Sequence, residues 1–424
     1  MKKALSILLL TSLAAIMLLT TVSCGKSSGK DNSDSSDISD NSADVNETAA
    51  PYSFNSILKL KNTIPSVDSA TVLVKGYYTP GDGGGGMFYW DAESELTPDN
   101  GLVIAPKGVE KGRFIRICDS SYRNVKWFGA AGTGSGDDTA AIKNAIASLP
   151  STGGTIAFPG GIYNVSETIN IGNGDGGSER STINGIKLIG EGGGFGIYGN
   201  KEPTVIKATK EMDVLLSVNG RIADVTIEGL FLNGGDMVNT CLYLKAVNGL
   251  VVREVSVKLF KETGIYLVGG TGNGNGNNNL RFETVSSVTL LDNGKCIFID
   301  GDEKSQPTEN CVFIDCRFDT HTTANSTAGY IRKATKTTFY RCHFARYNNA
   351  SDCLVLDAST SANYPFGNVF YDCSVGNIKV IETESNEIGN HFFYGHGTYD
   401  NEEVPAHRKL AGITDTGVPF GMTK

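Results

Sequence analysis

The chain has 424 residues, 37 Lys and Arg against 46 Asp and Glu, and a formal net charge of −9. An acidic chain without basic clusters is poorly suited to bind nucleic acid, so we expect no nucleic-acid partner. Its 52 glycines and 12 prolines indicate turn-rich β-structure, and its length allows more than one domain.

The first 24 residues have the form of an export signal. Lys2 and Lys3 precede an apolar run over 4–22, and the sequence TVSCG around Cys24 resembles a bacterial lipoprotein processing site. We predict a lipoprotein signal peptide over 1–24 with Cys24 as the lipidated residue, and cleavage as an ordinary signal peptide is the alternative. Such a protein would be exported to the bacterial cell envelope, with its N-terminal lipid as the only membrane contact.

The next two segments differ sharply in composition. Residues 25–51 are rich in Ser, Asp and Asn without an apolar face, which predicts a disordered tether. Residues 52–122 include GYYTPGDGGGGMFYWD, from Gly76, where a glycine-rich turn leads into a strand, and we predict a small N-terminal β module. The P-loop Lys-Ser/Thr does not follow this glycine run, so we do not expect nucleotide binding.

Two adjacent carboxylates, Asp137 and Asp138, open either an active site or a helix, and the local sequence favours the helix. Apolar residues follow at helical spacing from Ala140 to Leu149, and Pro150 ends the run. An Asp at the N-cap accepts a bond from an unpaired backbone N–H and suits the positive end of the helix dipole. We predict a helix from Asp138 to Leu149 that covers the open edge of the β-structure that follows it.

The second half of the chain contains a degenerate repeat of 22 to 31 residues. Each repeat has two strands of period two, separated by irregular Gly, Asn and Ser turns, which is typical of a parallel β-solenoid. Stacked strands lie about 4.8 Å apart, so like residues stack on like and form interior columns. We predict that the cysteines of the second column are reduced, buried thiols. The two columns contain Val252, Phe282, Phe313, Phe339, Phe370 and Phe392, and then Val255, Val285, Cys316, Cys342, Cys373 and Gly395.

The segment WFGAAGTGSGDDTAAIKNAI, from Trp127, followed by GGTIAFPGGIYNV, resembles the opening of the pectate-lyase-superfamily β-helix, in its rhamnogalacturonase/epimerase-like branch. This branch is related to polygalacturonases and phage tailspikes. The resemblance covers most of residues 70–400 and implies an all-β fold: a right-handed parallel β-helix over 123–400, with a short N-terminal capping helix, a small upstream β module, and a C-terminal tail or cap over 401–424. Tailspike relatives are trimers, which leaves a homotrimer open for this chain.

The outward positions of the other strand suggest a glycan groove. Its middle positions are Tyr243, Tyr266, Phe298, Tyr330, Val355 and Lys379, and charged residues follow at Asp300, Arg332 and Asp357. Aromatic rings contact the C–H faces of sugars, whereas carboxylates and guanidinium groups bind hydroxyls. We therefore predict substrate binding by Tyr243, Tyr266, Phe298, Tyr330 and Lys379, and catalysis by Asp300, Asp357 and Arg332. Structural stacking of aromatic residues across strands is the alternative.

Three functions fit this outward column of aromatic and charged residues. In a hydrolase of a pectin-like or uronate-containing glycan, Asp300 and Asp357 would act two coils apart, at about 10 Å, close to the spacing in inverting glycosidases. Arg332 would bind a uronate carboxylate. In a lyase, the acidic DGDE segment from Asp300 would hold Ca²⁺, and Arg332 or Lys379 would take the proton. A glycan-binding or structural solenoid would use the column without catalysis. We favour the hydrolase, which needs no cofactor, and a polysaccharide as the partner.

Overall fold

The structure is a computed structural model. It describes residues 52–66, 68, 70–172, 181–193, 204–269, 277–289, 294–300, 307–320, 326–346, 352–359, 365–381, 391–393 and 396–399. The predicted signal peptide with Cys24, the tether and the C-terminal tail lie outside the described residues. In the described part of the chain, no helix is both long enough and apolar enough to cross a membrane.

The first described element is a five-stranded sheet with a short helix. The helix α1 spans Ile57–Lys61, and Ser56 caps it by accepting a bond from the backbone of Lys59. Strand β1 pairs in parallel with β2, and the other neighbours in the order β1-β2-β3-β5-β4 are antiparallel. Alternate residues point inward and bury an apolar core that includes Phe88, Trp90 and Phe114. The strands are β1 Tyr52–Phe54, β2 Thr71–Val74, β3 Gly86–Asp91, β4 Val103–Ile104 and β5 Arg113–Arg116.

A 3₁₀ helix over Val125–Phe128 and the helix α2 over Thr139–Ala147 lead into the solenoid. The predicted helix is therefore present, but the Asp138 side chain does not form the predicted N-cap hydrogen bond. Asp138 is 3% exposed and its side chain makes no cap bond; it accepts instead from the backbone of Ala131 at 2.6 Å. The Asp137 carboxylate accepts from the backbone of Thr139 at 3.0 Å and ties down the start of the helix.

The rest of the described chain is a parallel β-helix, as the repeats predict. A ten-stranded sheet contains the strands with the inward Phe column, and all its neighbouring strands are parallel. These strands are β6 Tyr122–Asn124, β7 Gly154–Phe158, β10 Ile186–Gly190, β13 Thr226–Glu228, β15 Val251–Arg253, β18 Arg281–Glu283, β22 Val312–Ile314, β26 Thr338–Tyr340, β29 Val369–Tyr371 and β31 His391–Phe393.

A 17-stranded sheet forms the other walls of the coils. In the coil of β14, one strand of 18 residues continues across the positions that are separate strands in later coils. The strands are β8 Gly161–Val165, β9 Ile169–Gly172, β11 Thr204–Ala208, β12 Met212–Ala223, β14 Phe231–Asn248, β16 Ser256–Val268, β17 Asn277–Asn278, β19 Ser286–Thr289, β20 Lys295–Asp300, β21 Thr308–Glu309, β23 Arg317–Thr320, β24 Thr327–Ile331, β25 Ala334–Thr335, β27 His343–Ala345, β28 Asp352–Asp357, β30 Ser374–Ile381 and β32 His396–Tyr399.

Interior columns hold the coils together. The rings of Phe282, Phe313, Phe339 and Phe370 stack with centroids 4.5, 4.7 and 4.6 Å apart, and each is at most 1% exposed. Rings in this arrangement add stacking to the free energy of area burial. The predicted Phe column is confirmed over these four coils. The side chain of Phe392 lies outside what the structure describes.

The cysteine column runs beside the Phe column. Cys316, Cys342 and Cys373 are free thiols, as predicted, and are at most 4% exposed. Each Sγ donates to the carbonyl of a Phe in the preceding coil, at 3.4 to 3.5 Å. Burial raises the pKa of the Cys342 thiol, so the group stays protonated and unreactive. These cysteines therefore act as small apolar residues in the core.

Candidate functional site on the aromatic face

One outward face of the 17-stranded sheet brings the predicted site residues together. Strands β14, β16, β20, β24, β28 and β30 lie side by side here, and we call their outward surface the aromatic face. The middle row pairs coil by coil in the predicted order. This row is Tyr243, Tyr266, Phe298, Tyr330, Val355 and Lys379.

Two further rows flank the aromatic one. The row at the end of the strands contains Asp300, and Arg332 and Asp357 follow it on the next two coils. The row at the start of the strands was not predicted from the sequence. It contains Thr240, Thr263, Lys295, Thr327 and Asp352. The face is therefore three rows wide, with polar groups on both sides of the rings.

The rings contact one another closely. Tyr266 and Phe298 stack face to face, with centroids 4.9 Å apart and planes within 4°. Tyr243 meets Tyr266 edge-on at 5.5 Å, and Tyr330 meets Phe298 edge-on at 5.3 Å. Because the stacked pair uses one face of each ring, ring edges and phenol groups contribute much of the surface left for a ligand.

Asp300 and Arg332 form a bidentate ion pair. The guanidinium Nε donates to Oδ1 of Asp300, and Nη2 donates to Oδ2 at 2.5 Å. The Tyr266 hydroxyl donates to the same Oδ2 at 3.4 Å, and Asp300 is 5% exposed. The hydrogen bond to Asp300 raises the pKa of Arg332 above its usual value. Both oxygens of Asp300 are thus occupied, and the guanidinium lies 5.8 Å from the Phe298 ring.

Asp357 is held as an anion by hydrogen bonds. Its Oδ2 accepts from the Tyr330 hydroxyl at 2.5 Å, and its Oδ1 accepts from the backbone and the hydroxyl of Ser359 at 2.9 and 2.5 Å. Burial by itself raises the pKa of Asp357, but the bonds from Ser359 and Tyr330 and the nearby Arg332 outweigh it and leave the pKa below its usual value. A carboxylate of this kind can accept a proton from water, but it is a poor general acid.

Lys295 and Ser359 are two functional candidates that were not predicted from the sequence. The Nζ of Lys295 lies 4.9 Å from the Phe298 ring centroid and 5.5 Å from that of Tyr330. Burial lowers its pKa. None of the carboxylates in the described residues lies within ion-pair distance of it. Lys295 stands three residues before Phe298, so the two-residue period of the strand did not indicate it. Ser359 could have been found, because an Asp followed two residues later by Ser is typical of a turn in which the Asp side chain accepts from that residue's backbone.

The outer members of the predicted site lie further from the carboxylates. Lys379 is at the far end of the middle row, and its Nζ is 3.6 Å from a carboxylate oxygen of Asp352. Tyr243 is at the other end and contacts Tyr266. Among the described residues, no group of three or more His, Cys, Asp and Glu side chains could hold a metal ion. Asp302 and Glu303 of the acidic DGDE segment lie outside the described residues.

Removing the Arg332 guanidinium is expected to destabilise the fold. In Arg332→Met, Asp300 keeps its burial but loses both charge-assisted bonds, which costs about 1–3 kcal/mol. The double variant Asp300→Asn/Arg332→Met should recover part of this loss, because the unpaired charge is gone. Urea denaturation followed by circular dichroism measures both, and equal stability of the wild type and Arg332→Met would contradict the prediction.

Residues 122–378 match the family described as rhamnogalacturonase A/epimerase, pectate lyase-like. The chain belongs to this family. Residues 53–119 match the phage tail protein small four-stranded β-sheet domain, in the region where the structure has the five-stranded sheet. The family membership agrees with the predicted fold and leaves the reaction undecided, because one fold can host many activities.

The chain is similar to proteins of phages and prophages. The chain is 28% identical over 201 residues to the Mu-like prophage FluMu defective tail fiber protein of Haemophilus influenzae, covering 46% of this chain and 29% of that protein. Among solved structures, it is similar to the enzymatically active domain of tailspike protein 4 from bacteriophage CBA120, with a TM-score of 0.56, 13% identity, and coverage of 82% and 46% of the two chains. It is also similar to the tailspike protein of Acinetobacter phage vB_ApiP_P1, with a TM-score of 0.51, 14% identity, and coverage of 86% and 69%. These structural similarities concern the fold.

The comparisons contradict the predicted localisation. The folded part of the chain matches a phage tail domain and a prophage tail fibre protein, so the prediction of a membrane-anchored lipoprotein on the bacterial cell envelope is wrong. That prediction rested on the composition of residues 1–24 alone, where a charged start and an apolar run fit the general form of an export signal. The match to tail proteins rests on residues 53–119 and on a 201-residue alignment.

Proposed function

We propose that this protein is a phage or prophage tail component that hydrolyses a polysaccharide on the aromatic face. The observation that carries the proposal is the pair of buried carboxylates, Asp300 and Asp357, on either side of Arg332 and beside a row of aromatic rings. Their strands are two coils apart, about 10 Å at about 4.8 Å per strand, close to the roughly 6.5–9.5 Å between carboxyl groups of inverting glycosidases. The match to tail proteins supports the biological setting.

In the proposed reaction Asp357 is the general base. It takes a proton from water, the water oxygen bonds to the anomeric carbon, and the bond from that carbon to the leaving oxygen breaks. The leaving oxygen must then receive a proton, and Asp300 is the proposed donor. Since both oxygens of Asp300 accept bonds from Arg332, the acid role requires another partner for the guanidinium. A uronate carboxylate suits this exchange, because it binds Arg332 in the same bidentate geometry and frees Asp300 to take up a proton.

A second function, glycan binding without cleavage, is favoured by one observation. Both oxygens of Asp300 accept bonds from Arg332, and Asp357, whose pKa is below its usual value, is a poor proton donor. In this case the aromatic face would retain a polysaccharide at the cell surface. A homotrimer, as the resemblance to tailspikes implies, is part of both proposals and can be tested by light scattering of the purified protein.

The test is incubation of the protein with a panel of acidic and neutral polysaccharides. Reducing ends without absorbance from unsaturated uronates would support hydrolysis. Unsaturated products that require added Ca²⁺ would replace it with a lyase reaction. Retention of a polysaccharide in affinity electrophoresis, without products, would support the binding function. A panel that is neither bound nor cleaved would contradict both proposals.

Lys295, which has no carboxylate within ion-pair distance in the described ranges, gives a prediction about charge. Lys295→Met keeps an unbranched apolar side chain at this position and removes the amine that lies over the Phe298 ring. We therefore expect about a tenfold higher KM for a uronate-containing polysaccharide, from the loss of one charge-assisted bond. The same polymer with its carboxyl groups chemically reduced should be affected less than twofold. Lys143→Met is the matched control, because Lys143 lies on α2 and pairs with Glu167, outside the strands of the aromatic face. Equal effects on both polymers would show that Lys295 has no role in charge recognition.

A further inference from the structure

A pocket lies where the small sheet meets the β-helix, and none of its lining residues belongs to the aromatic face. It has a volume of about 200 Å³ and is lined by residues of the loop between β2 and β3, of the 3₁₀ helix and of the chain that follows that helix. We call it the junction notch; its polar and aromatic lining includes Tyr77, Tyr78, Thr79, Asp82, Lys126 and Thr133. A second hollow of about 310 Å³ lies beside the same two tyrosines. Ligand sites occur preferentially at such domain junctions.

Backbone hydrogen bonds to one carboxylate hold the loop between β2 and β3, which forms one wall of the notch, in a single conformation. The Asp82 carboxylate accepts four backbone N–H bonds, from Tyr77, Tyr78, Thr79 and Gly84, at 2.7 to 3.0 Å. At Gly76, a Cβ would lie 1.7 Å from the carbonyl oxygen of Thr79, so the tight turn requires glycine. The wall is therefore formed before any ligand arrives, which reduces the entropy cost of binding.

Tyr78 is an exposed aromatic residue that is fixed in place. Tyr78 is 59% exposed, yet its hydroxyl donates to the carbonyl of Gly129 at 2.7 Å. Tyr77 meets it edge-on at 4.8 Å. The guanidinium of Arg116 adds rigidity to the junction, because it donates to the carbonyls of Gly84 and Gly85 and lies 4.8 Å from the Trp127 ring. A fixed, exposed ring offers a flat apolar surface that does not need to be ordered on binding.

The charges in the notch indicate the class of ligand. Asp82 contributes one negative charge and Lys126 one positive charge, and Lys126 has no ion pair with any residue in the described ranges. Burial raises the pKa of Asp82, but its four backbone bonds outweigh this effect and leave the pKa low, so the carboxylate is ionised. The balanced charges disfavour phosphate or a cation. They suit a neutral molecule with many hydroxyls and one apolar face.

We propose that the junction notch binds one neutral pyranose unit of a glycan. The C–H face of the sugar rests on Tyr78, and its hydroxyls accept from Lys126 and exchange bonds with Thr79 and Thr133. A volume of about 200 Å³ is below the range of about 300–1,000 Å³ for drug-sized ligands, so a single sugar fits and an oligosaccharide does not. The notch would give the protein a second contact with a glycan, independent of the aromatic face.

Saturation-transfer NMR on the full chain tests this proposal, with the methyl glycosides of glucose, galactose, mannose and N-acetylglucosamine as probes. We expect at least one probe to bind with a Kd on the order of 1 mM. Tyr78→Ala and Lys126→Met should each weaken it at least fivefold. Tyr89→Ala is the matched control, because Tyr89 is a 37% exposed tyrosine of the same small sheet, and it should have no effect.

The variants separate the notch from the aromatic face and from misfolding. Lys126→Met and Thr133→Val leave the Tyr78–Gly129 bond intact, so they decide the outcome if Tyr78→Ala fails to fold. Tyr330→Ala should leave binding in the notch unchanged. The proposal is overturned if no probe binds to the wild type, if Lys126→Met and Thr133→Val bind as the wild type does, or if Tyr330→Ala alone abolishes binding.

Discussion

Replacing Asp357 with Asn is expected to reduce turnover of a cleaved polysaccharide by about 10²- to 10⁴-fold, the usual contribution of a positioned general base. The amide keeps the shape of the carboxyl group: its oxygen can still accept from the backbone of Ser359 while its NH2 group donates to the Tyr330 hydroxyl, so the fold should survive. It cannot take a proton from water. Initial rates of reducing-end formation measure the effect, and circular dichroism confirms that the variant is folded. Asp315→Asn is the matched control, because Asp315 is a half-exposed carboxylate that pairs with Arg341 in the turns directly after β22 and β26.

The pH dependence of the rate provides a second readout of the same group. Because hydrogen bonds from Ser359 and Tyr330 hold the pKa of Asp357 below its usual value, activity that depends on its ionised form should persist at acidic pH and fall only as the pH drops through that low value. Ser359→Ala removes one donor, so the pKa of Asp357 should rise and the acidic limb of kcat/KM should move to higher pH. Full activity of Asp357→Asn, or an acidic limb that Ser359→Ala leaves unmoved, would argue against Asp357 as the base.

The sequence predicted the rows of the β-helix because stacking places equivalent positions of successive coils next to each other. Once Phe282, Phe313 and Phe339 were aligned, the alignment of Tyr266, Phe298 and Tyr330 on the other strand followed, and the structure has the same register. The proximity of Asp300, Arg332 and Asp357 followed from the same rule.

Partners that do not follow the stacking rule could not be predicted. The row of Lys295 lies three residues before the aromatic row, so a two-residue period would not place it beside the rings. Asp138 turns away from its helix to bond the backbone of Ala131, although its sequence position is that of a cap. Likewise, the spacing of Asp300 and Arg332 indicates proximity but not that the guanidinium occupies both oxygens. These features depend on side-chain directions that periodicity does not encode.

Phe339→Ala is expected to destabilise the β-helix by about 3–5 kcal/mol, the usual cost of emptying a buried Phe site. Phe339 is fully buried, and its ring stacks on Phe313 at 4.7 Å and on Phe370 at 4.6 Å. Flanking coils are fixed by their own backbone bonds and cannot close the cavity. Thermal and urea unfolding followed by circular dichroism measure the loss.

Two variants show whether this loss arises from the column. Phe339→Leu keeps much of the volume and should cost less than Phe339→Ala, whereas Phe366→Ala, at a residue that is 51% exposed, should cost far less. Because each coil contacts only its neighbours, the damage should be local: hydrogen exchange should accelerate most in β22, β26 and β29 and least in the small N-terminal sheet. A uniform rise in exchange across all coils would mean that the β-helix unfolds as one cooperative unit, and a stability equal to that of the wild type would contradict the role assigned to the Phe column.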